Sequence, residues 1–129
     1  MSRSSHRLPD AELEVMKAIW QSNTPISTSN LKAVLDRERP WNVSALQTLL
    51  NRLIARGFLR SEKRGKCRYY EPLVQEDAYL AAENKAFLKR LNHGSVSRLV
   101  ASLYDSKAIS DQDLEELAAF IAQKTKEGT

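Results

Sequence analysis

Leu46, Leu49, Leu50, Leu53 and Ile54 fall at the i, i+3, i+4, i+7, i+8 spacing of a single helix face, and that spacing stops at Gly57. Gly after Arg56 is the chemistry of a left-handed helix cap, and Phe58 just beyond it is placed to fold back on the leucines. The segments LRSEK and CRYYEPL then flank the short turn Arg64-Gly65-Lys66, which reads as a β-hairpin whose glycine supplies a positive backbone angle. A helix that passes through one glycine into a hairpin leaves few folds open to a chain of 129 residues.

The segment before this helix narrows the choice. In LPDAELEVMKAIWQS the apolar Val15, Met16, Ile19 and Trp20 stand at helical spacing, with Glu12, Glu14, Lys17 and Gln21 between them. Asp10, Glu12 and Glu14 suit the positive end of a helix dipole, and Asn23-Thr24-Pro25 closes the segment, so a first helix is expected from about Asp10 to Ser22. A second, shorter helix is expected after a cap at Ser27 or Thr28, with Leu31, Val34 and Leu35 inward and Arg39-Pro40 as its limit. Asn42 is a competent cap for the third. Three helices followed by a hairpin are the order of a winged helix-turn-helix, and the expected fold class is mainly α with this small β hairpin.

From about Gln75 onward there is no strand signal. One helical stretch carries Leu80, Phe87, Leu88 and Leu91. A second, after Gly94-Ser95, carries Val96, Leu99, Val100, Leu103 and Tyr104, and a third repeats Leu114, Leu117, Ala118 and Ile121 after a near capping box at Ser110 to Asp113. These stripes are more apolar than so short a three-helix segment can cover by itself, so they are expected to form a dimerisation surface. The expected organisation is a winged-helix domain over residues 1–72 and a three-helix dimerisation domain over 73–129.

Charge is divided along the same boundary. Met1 to Pro72 carries 13 Lys and Arg against 7 Asp and Glu, and Leu73 to Thr129 carries 7 against 9. A polyanion partner for the first part follows from phosphate attraction, and a merely basic surface is the other reading of charge alone. The third helix adds a sharper sign, because no Asp or Glu occurs between Trp41 and Arg60. Opposite its leucines it presents Ser44, Gln47, Thr48, Asn51 and Arg52, types that pair with adenine edges, guanine edges or phosphates. The hairpin tip contributes Lys63, Arg64, Lys66 and Arg68 for backbone contact, with Tyr69 and Tyr70 as anchors to the core. A solvated polar face is the plain alternative for the helix, and charges facing only water for the hairpin.

Little else suggests chemistry. Cys67 is the single cysteine, which excludes an intrachain disulfide and leaves no resolving thiol; a small residue on a strand is the simpler reading than a redox sensor. His6 and His93 stand far from it and from each other, so neither a metal site, a cofactor nor a catalytic pair is expected. No apolar stretch is long enough for a signal peptide or membrane span, so a cytoplasmic location without membrane insertion is expected.

The strings DAELEVMKAIW, then Trp41 followed by LQTLLNRLIARGFL, a wing ending YYEPL, then FLKRLNHGSVSRLVASL and ISDQDLEEL, resemble the penicillinase and methicillin-resistance repressor family of bacteria. The likeness runs from Pro9 to about Lys124. It implies a double-stranded DNA operator built as an inverted repeat, often with a TACA/TGTA-type core, bound by a homodimer. By position, the resemblance puts recognition on Asn42, Ser44, Ala45, Gln47, Thr48 and Arg52. The family's Ser-Pro-Lys-Thr at the start of this helix is here Asn42-Val43-Ser44-Ala45, without the lysine and threonine that would contact DNA. Relatives that answer β-lactams lose repression when a membrane sensor-protease system leads to cutting at an Asn-Phe bond, and the aligned pair here is Ser102-Leu103. Copper-responsive relatives carry a Cys-x-Cys pair that AAFIAQKTKEGT lacks. The expected function is a non-enzymatic repressor relieved by a stress or antibiotic signal through loss of its dimerisation domain; the alternative is a winged-helix adaptor that binds a protein partner.

Overall fold

In a computed structural model of the chain, residues 7–128 are described, which leaves His6 outside the described residues. Helix α1 spans Asp10–Trp20 and stops two residues short of the expected Ser22. The Ser22 hydroxyl donates to the Ala18 carbonyl at 2.7 Å and the chain turns there, so Ser22 closes the helix from outside. Helix α2, Thr28–Asp36, is capped by Ser27, whose hydroxyl accepts from the Asn30 amide. Helix α3, Val43–Ala55, is capped by Asn42, whose side-chain oxygen accepts from the Ala45 amide at 3.0 Å.

Gly57 ends α3 at φ +85°, and the Phe58 amide returns to the Leu53 carbonyl at 2.9 Å. A side chain at Gly57 would meet no atom, so glycine is required there by backbone angle alone. Strands β2 (Leu59–Arg64) and β3 (Cys67–Pro72) follow, joined through Gly65 at φ +64°. The sheet has one strand more than the hairpin read from the sequence. β1, only Ile26–Ser27, pairs antiparallel with β3 in the order β1-β3-β2, with Ile26 opposite Tyr70. Two residues are too few to show a period of two, so this strand has no sequence signature.

One continuous core joins these elements. Val15, Met16 and Ile19 of α1, Leu31 and Leu35 of α2, Leu46, Leu50 and Leu53 of α3, and Leu59 and Tyr70 of the sheet are all buried. Phe58 is buried with them, and Tyr70 anchors the hairpin. Helix α4 (Glu76–Leu91) adds Tyr79, whose hydroxyl accepts from the Leu8 amide at 2.9 Å and whose ring lies edge-on to Phe58. The Trp20 indole N–H donates to the Val74 carbonyl at 2.8 Å, so the chain just past the hairpin is tied to α1.

Glu12 departs from the pattern. Its sequence neighbours suggest a solvent-facing position, yet it is 2% exposed. Two features offset the cost of its burial. It lies in the first turn of α1, where the helix dipole favours a carboxylate, and the Arg56 Nη1 stands 3.4 Å from its Oε1. That contact ties α1 to the C-terminal end of α3.

The chain divides into two compact units, Met1–Glu83 and Asn84–Thr129. The second contains the remainder of α4, α5 (Val96–Asp105, capped by Ser95) and α6 (Asp111–Glu127). α6 opens with a complete capping box, in which Ser110 and Asp113 bond each other's backbone amides. No helix among the described residues is long and apolar enough to cross a membrane.

Leu50→Ala is expected to lower the unfolding free energy by about 2–5 kcal/mol, because the helix interface cannot close over the lost volume. Arg56→Ala, which leaves the Glu12 carboxylate buried without its counter-charge, is expected to cost about 1–3 kcal/mol. Urea titrations of the two variants against the parent chain measure both effects.

Candidate nucleic-acid interface

α3 buries one face and leaves the other bare. With Leu46, Leu50 and Leu53 at zero exposure, the 100° step per residue carries Ser44, Thr48, Asn51 and Arg52 to the outside, and all four are exposed. Ala45 is exposed beside them, and Gln47 is half-buried at the edge of the face. Gln47 is held there by the sheet: its amide nitrogen reaches both the Tyr70 hydroxyl and the Asn51 side-chain oxygen at 3.3 Å, which leaves its own carbonyl oxygen as the free acceptor. Because Tyr70 is fully buried, this bond sets the distance between α3 and the hairpin.

Not every residue of the expected set is equally free. Asn42 uses its oxygen as the cap of α3. Thr48 donates its hydroxyl proton to the Ser44 carbonyl at 3.0 Å, so in this rotamer it offers only lone pairs. Arg52 has no acidic partner among the described residues, consistent with the lack of Asp and Glu from Trp41 to Arg60.

The hairpin separates its basic residues by strand alternation. Register pairs Leu59 with Pro72, Ser61 with Tyr70 and Lys63 with Arg68, so these six share the face that enters the core through Leu59 and Tyr70. Lys63 and Arg68 extend that face beyond the core, and the Arg68 guanidinium donates to the Ser61 hydroxyl at 2.9 Å. Arg64 and Cys67 are paired on the opposite face, where the Arg64 guanidinium lies 5.2 Å from the Tyr69 ring centre and 3.3 Å from Glu62. Lys66 is exposed in the turn. Arg64, Lys66 and Arg68 therefore do not form one cluster. Lys63 joins Arg68 instead, because the register of β2 on β3 sets the two opposite each other.

The turn that delivers α3 is clamped by charge. The Asp36 carboxylate accepts from Lys32 at 2.7 Å and from the Trp41 amide at 2.9 Å. The Lys32 hydrogen bond, and after it the Trp41 one, hold Asp36 below the ordinary carboxylate value of 3.8. Arg39 lies 4.2 Å over the Trp41 ring and pairs with Glu14 of α1 at 3.0 Å. Trp41 itself is buried against the core.

In the second unit no residue of α5 or α6 is buried. Val96, Val100 and Tyr104 of α5 face Leu114, Leu117, Phe120 and Ile121 of α6 across an open apolar cleft. Phe120, three residues after Leu117, extends the stripe expected from the sequence and is 58% exposed. Leu99, Leu103 and Leu88 are half-buried, while Phe87, Leu91 and, in the first unit, Leu80 are exposed. The Tyr104 hydroxyl donates to Asp111 at 2.6 Å, a bond that pushes its pKa upward. Ser102 is exposed and Leu103 half-buried within helical α5, where the Leu103 carbonyl accepts from the Ala108 amide at 2.8 Å.

Fold and surface together define a winged helix-turn-helix protein in which a bare, acid-free helix stands beside a basic wing. The chain belongs to the penicillinase repressor family, whose pattern matches residues 8–123. It is 32% identical over 111 residues to the penicillinase repressor of Bacillus licheniformis, covering 86% of each chain. It is 27% identical to the methicillin resistance regulatory protein MecI of Mammaliicoccus sciuri, covering 96% of this chain and 100% of that one. The solution structure of the DNA binding domain of the repressor BlaI superposes with a TM-score of 0.53 at 37% identity, over 61% of this chain and 94% of that domain.

Because the folded-state pKa of Asp36 lies below its unfolded value, the clamp contributes its full stability above the ordinary carboxylate range and loses it as pH falls through the folded pKa. The Trp41 amide resonance is therefore expected to titrate with a midpoint below 3.8. Asp36→Asn should abolish that titration and speed hydrogen exchange at Trp41.

Proposed function

We propose that this chain is a transcriptional repressor that binds an inverted-repeat DNA operator as a homodimer, with α3 in the major groove and the wing on the phosphate backbone. The observation that carries the proposal is the pairing of a bare, acid-free α3 face with Lys63 and Arg68 directly across the hairpin. Like charges at opposite strand positions repel, and a phosphate between or beside them turns that repulsion into attraction. Gln47, Asn51 and Arg52 have the donor and acceptor sets that read adenine and guanine edges; Ser44, Ala45 and Thr48 line the same face, and Asn42 fixes its start. Lys66, Arg68 and Arg64 position the wing without reading sequence. The repressors named among the relatives support the same role.

Two copies are needed for a dyad. The apolar cleft of α5 and α6 has no cover within its own unit, and a unit of this length builds only a marginal core. A second subunit covering Val96, Val100, Leu114, Leu117 and Ile121, with Leu80, Phe87, Leu88, Leu91, Leu99 and Leu103 completing the surface, would set two copies of α3 about 34 Å apart, one turn of DNA. Occupying the operator requires no chemical step and no cofactor, and the protein acts in the cytoplasm, where its DNA is. Relief through a membrane sensor-protease system by cutting at Ser102-Leu103 would require the end of α5 to unwind first, since a bond inside a helix does not fit an extended protease groove. The loss of dimer contacts would then lower operator affinity.

Operator binding is expected to fall steeply with salt. Gln47→Ala or Arg52→Ala should each weaken it by about 1–3 kcal/mol at the base pair concerned, whereas Lys66→Ala with Arg68→Ala should weaken all sequences alike and reduce the salt slope by about two. Fluorescence anisotropy over a salt series reads all three variants, and salt-independent binding would favour the adaptor instead. Sedimentation of the full chain should show a dimer that Leu117→Glu converts to monomer, with dyad affinity falling to that of a half-site.

A further inference from the structure

Val43 is the first residue of α3 and is 56% exposed, although Val is a large apolar side chain with no role in the core. It precedes Gln47 by four residues and so lies one turn before it on the same stripe, which continues to Asn51. The positions around it are polar or small: Asn42 caps the helix, and Ser44 and Ala45 are exposed beside it. Branching at Cβ restricts χ1, so its two methyl groups stay close to the helix start. They can neither donate nor accept a hydrogen bond. Among the groups that the four base pairs show in the major groove, the thymine C5 methyl is the one that gains from an apolar contact.

We infer that Val43 is a specificity-determining residue that reads the C5 methyl of one thymine in each half-site, at a base step next to the one facing Gln47. The inference rests on the reading of α3 as the helix that enters the major groove, where the residues at its N-terminal end reach the base edges. It explains why an exposed first-turn position carries a stiff apolar branch. It also adds discrimination that the polar residues do not supply, since cytosine offers an amino group and a bare C5 at the equivalent place. Ala45, two residues on, lies about 200° around the helix from Val43 and cannot replace it.

The test uses the full chain and a duplex selected by it from a random pool, remade with each thymine of one half-site replaced in turn by deoxyuridine, which removes only the methyl group. The parent chain should bind one of these duplexes about fourfold more weakly than the thymine duplex, the factor that corresponds to one buried methyl group. Val43→Ala should bind the thymine duplex more weakly and should no longer distinguish uridine from thymine at that position, with its salt slope unchanged. Val43→Ser, which removes both methyl groups and leaves a hydroxyl, should behave in the same way. A parent chain indifferent to every uridine, or a Val43→Ala chain that keeps the parent's thymine preference, would overturn the role of Val43 while leaving salt-dependent operator binding intact. Failure to select any duplex would overturn both this role and the reading of α3 on which it rests.

Discussion

Everything on the bare side of α3 depends on how that helix is buried. Leu46, Leu50 and Leu53 pack to zero exposure in a core shared with Val15, Met16 and Ile19 of α1, and this packing fixes the rotation of α3 about its own axis. A helix has only one such angle, so choosing the buried face also chooses the bare one. Each buried leucine contributes on the order of 2 kcal/mol relative to exposure, far more than any single polar contact on the outer face. The bare face of α3 is thus held by apolar packing, and its polar side chains remain available to an outside partner.

The remaining freedoms of α3, its pitch and its distance from the wing, are set by polar contacts at its ends and edge. Asp36 holds the Trp41 amide just before the helix starts, and Asn42 caps its first turn. At the other end Arg56 meets the buried Glu12 carboxylate of α1. Along its edge Gln47 meets the hydroxyl of Tyr70, whose ring is sealed in the core. Only the Glu12 end of this pair is buried, so any arrangement that separates the two charges would leave that carboxylate without its counter-charge. Glu12 and Arg56 therefore act as a register mark between α1 and α3.

The two units solve opposite problems. The first has a complete core and an α3 face free of acid, whereas the second has well-capped helices and an apolar cleft with no residue of α5 or α6 buried. Well-made helices without a core are the expected form of a half interface, because local capping does not require tertiary partners while burial does. Under the homodimer proposed above, affinity for a dyad and the integrity of the second unit are linked, because separating the copies would weaken binding without touching the bare face of α3.

Periodicity and capping chemistry determined much of this from the chain alone. The starts of α2, α3 and the last helix, the glycine cap at Gly57, the hairpin turn at Gly65 and the polar set on α3 all arise from local rules, and local rules can be read without neighbours. Three kinds of feature could not be read in this way. β1 is two residues long, too short for any pattern, and exists because Tyr69 and Tyr70 of β3 offer it a strand edge. Glu12 looks solvent-facing by its neighbours, and it is buried because the packing of α1 on α3 brings Arg56 to it. The grouping of the wing cations depends on register: Lys63 falls with Arg68, and Arg64 falls on the other face. The sequence determined which segments are helices and which face of each is apolar, since those follow from spacing along one chain. Only the tertiary structure decided which distant residues meet, because burial and register are properties of pairs of elements.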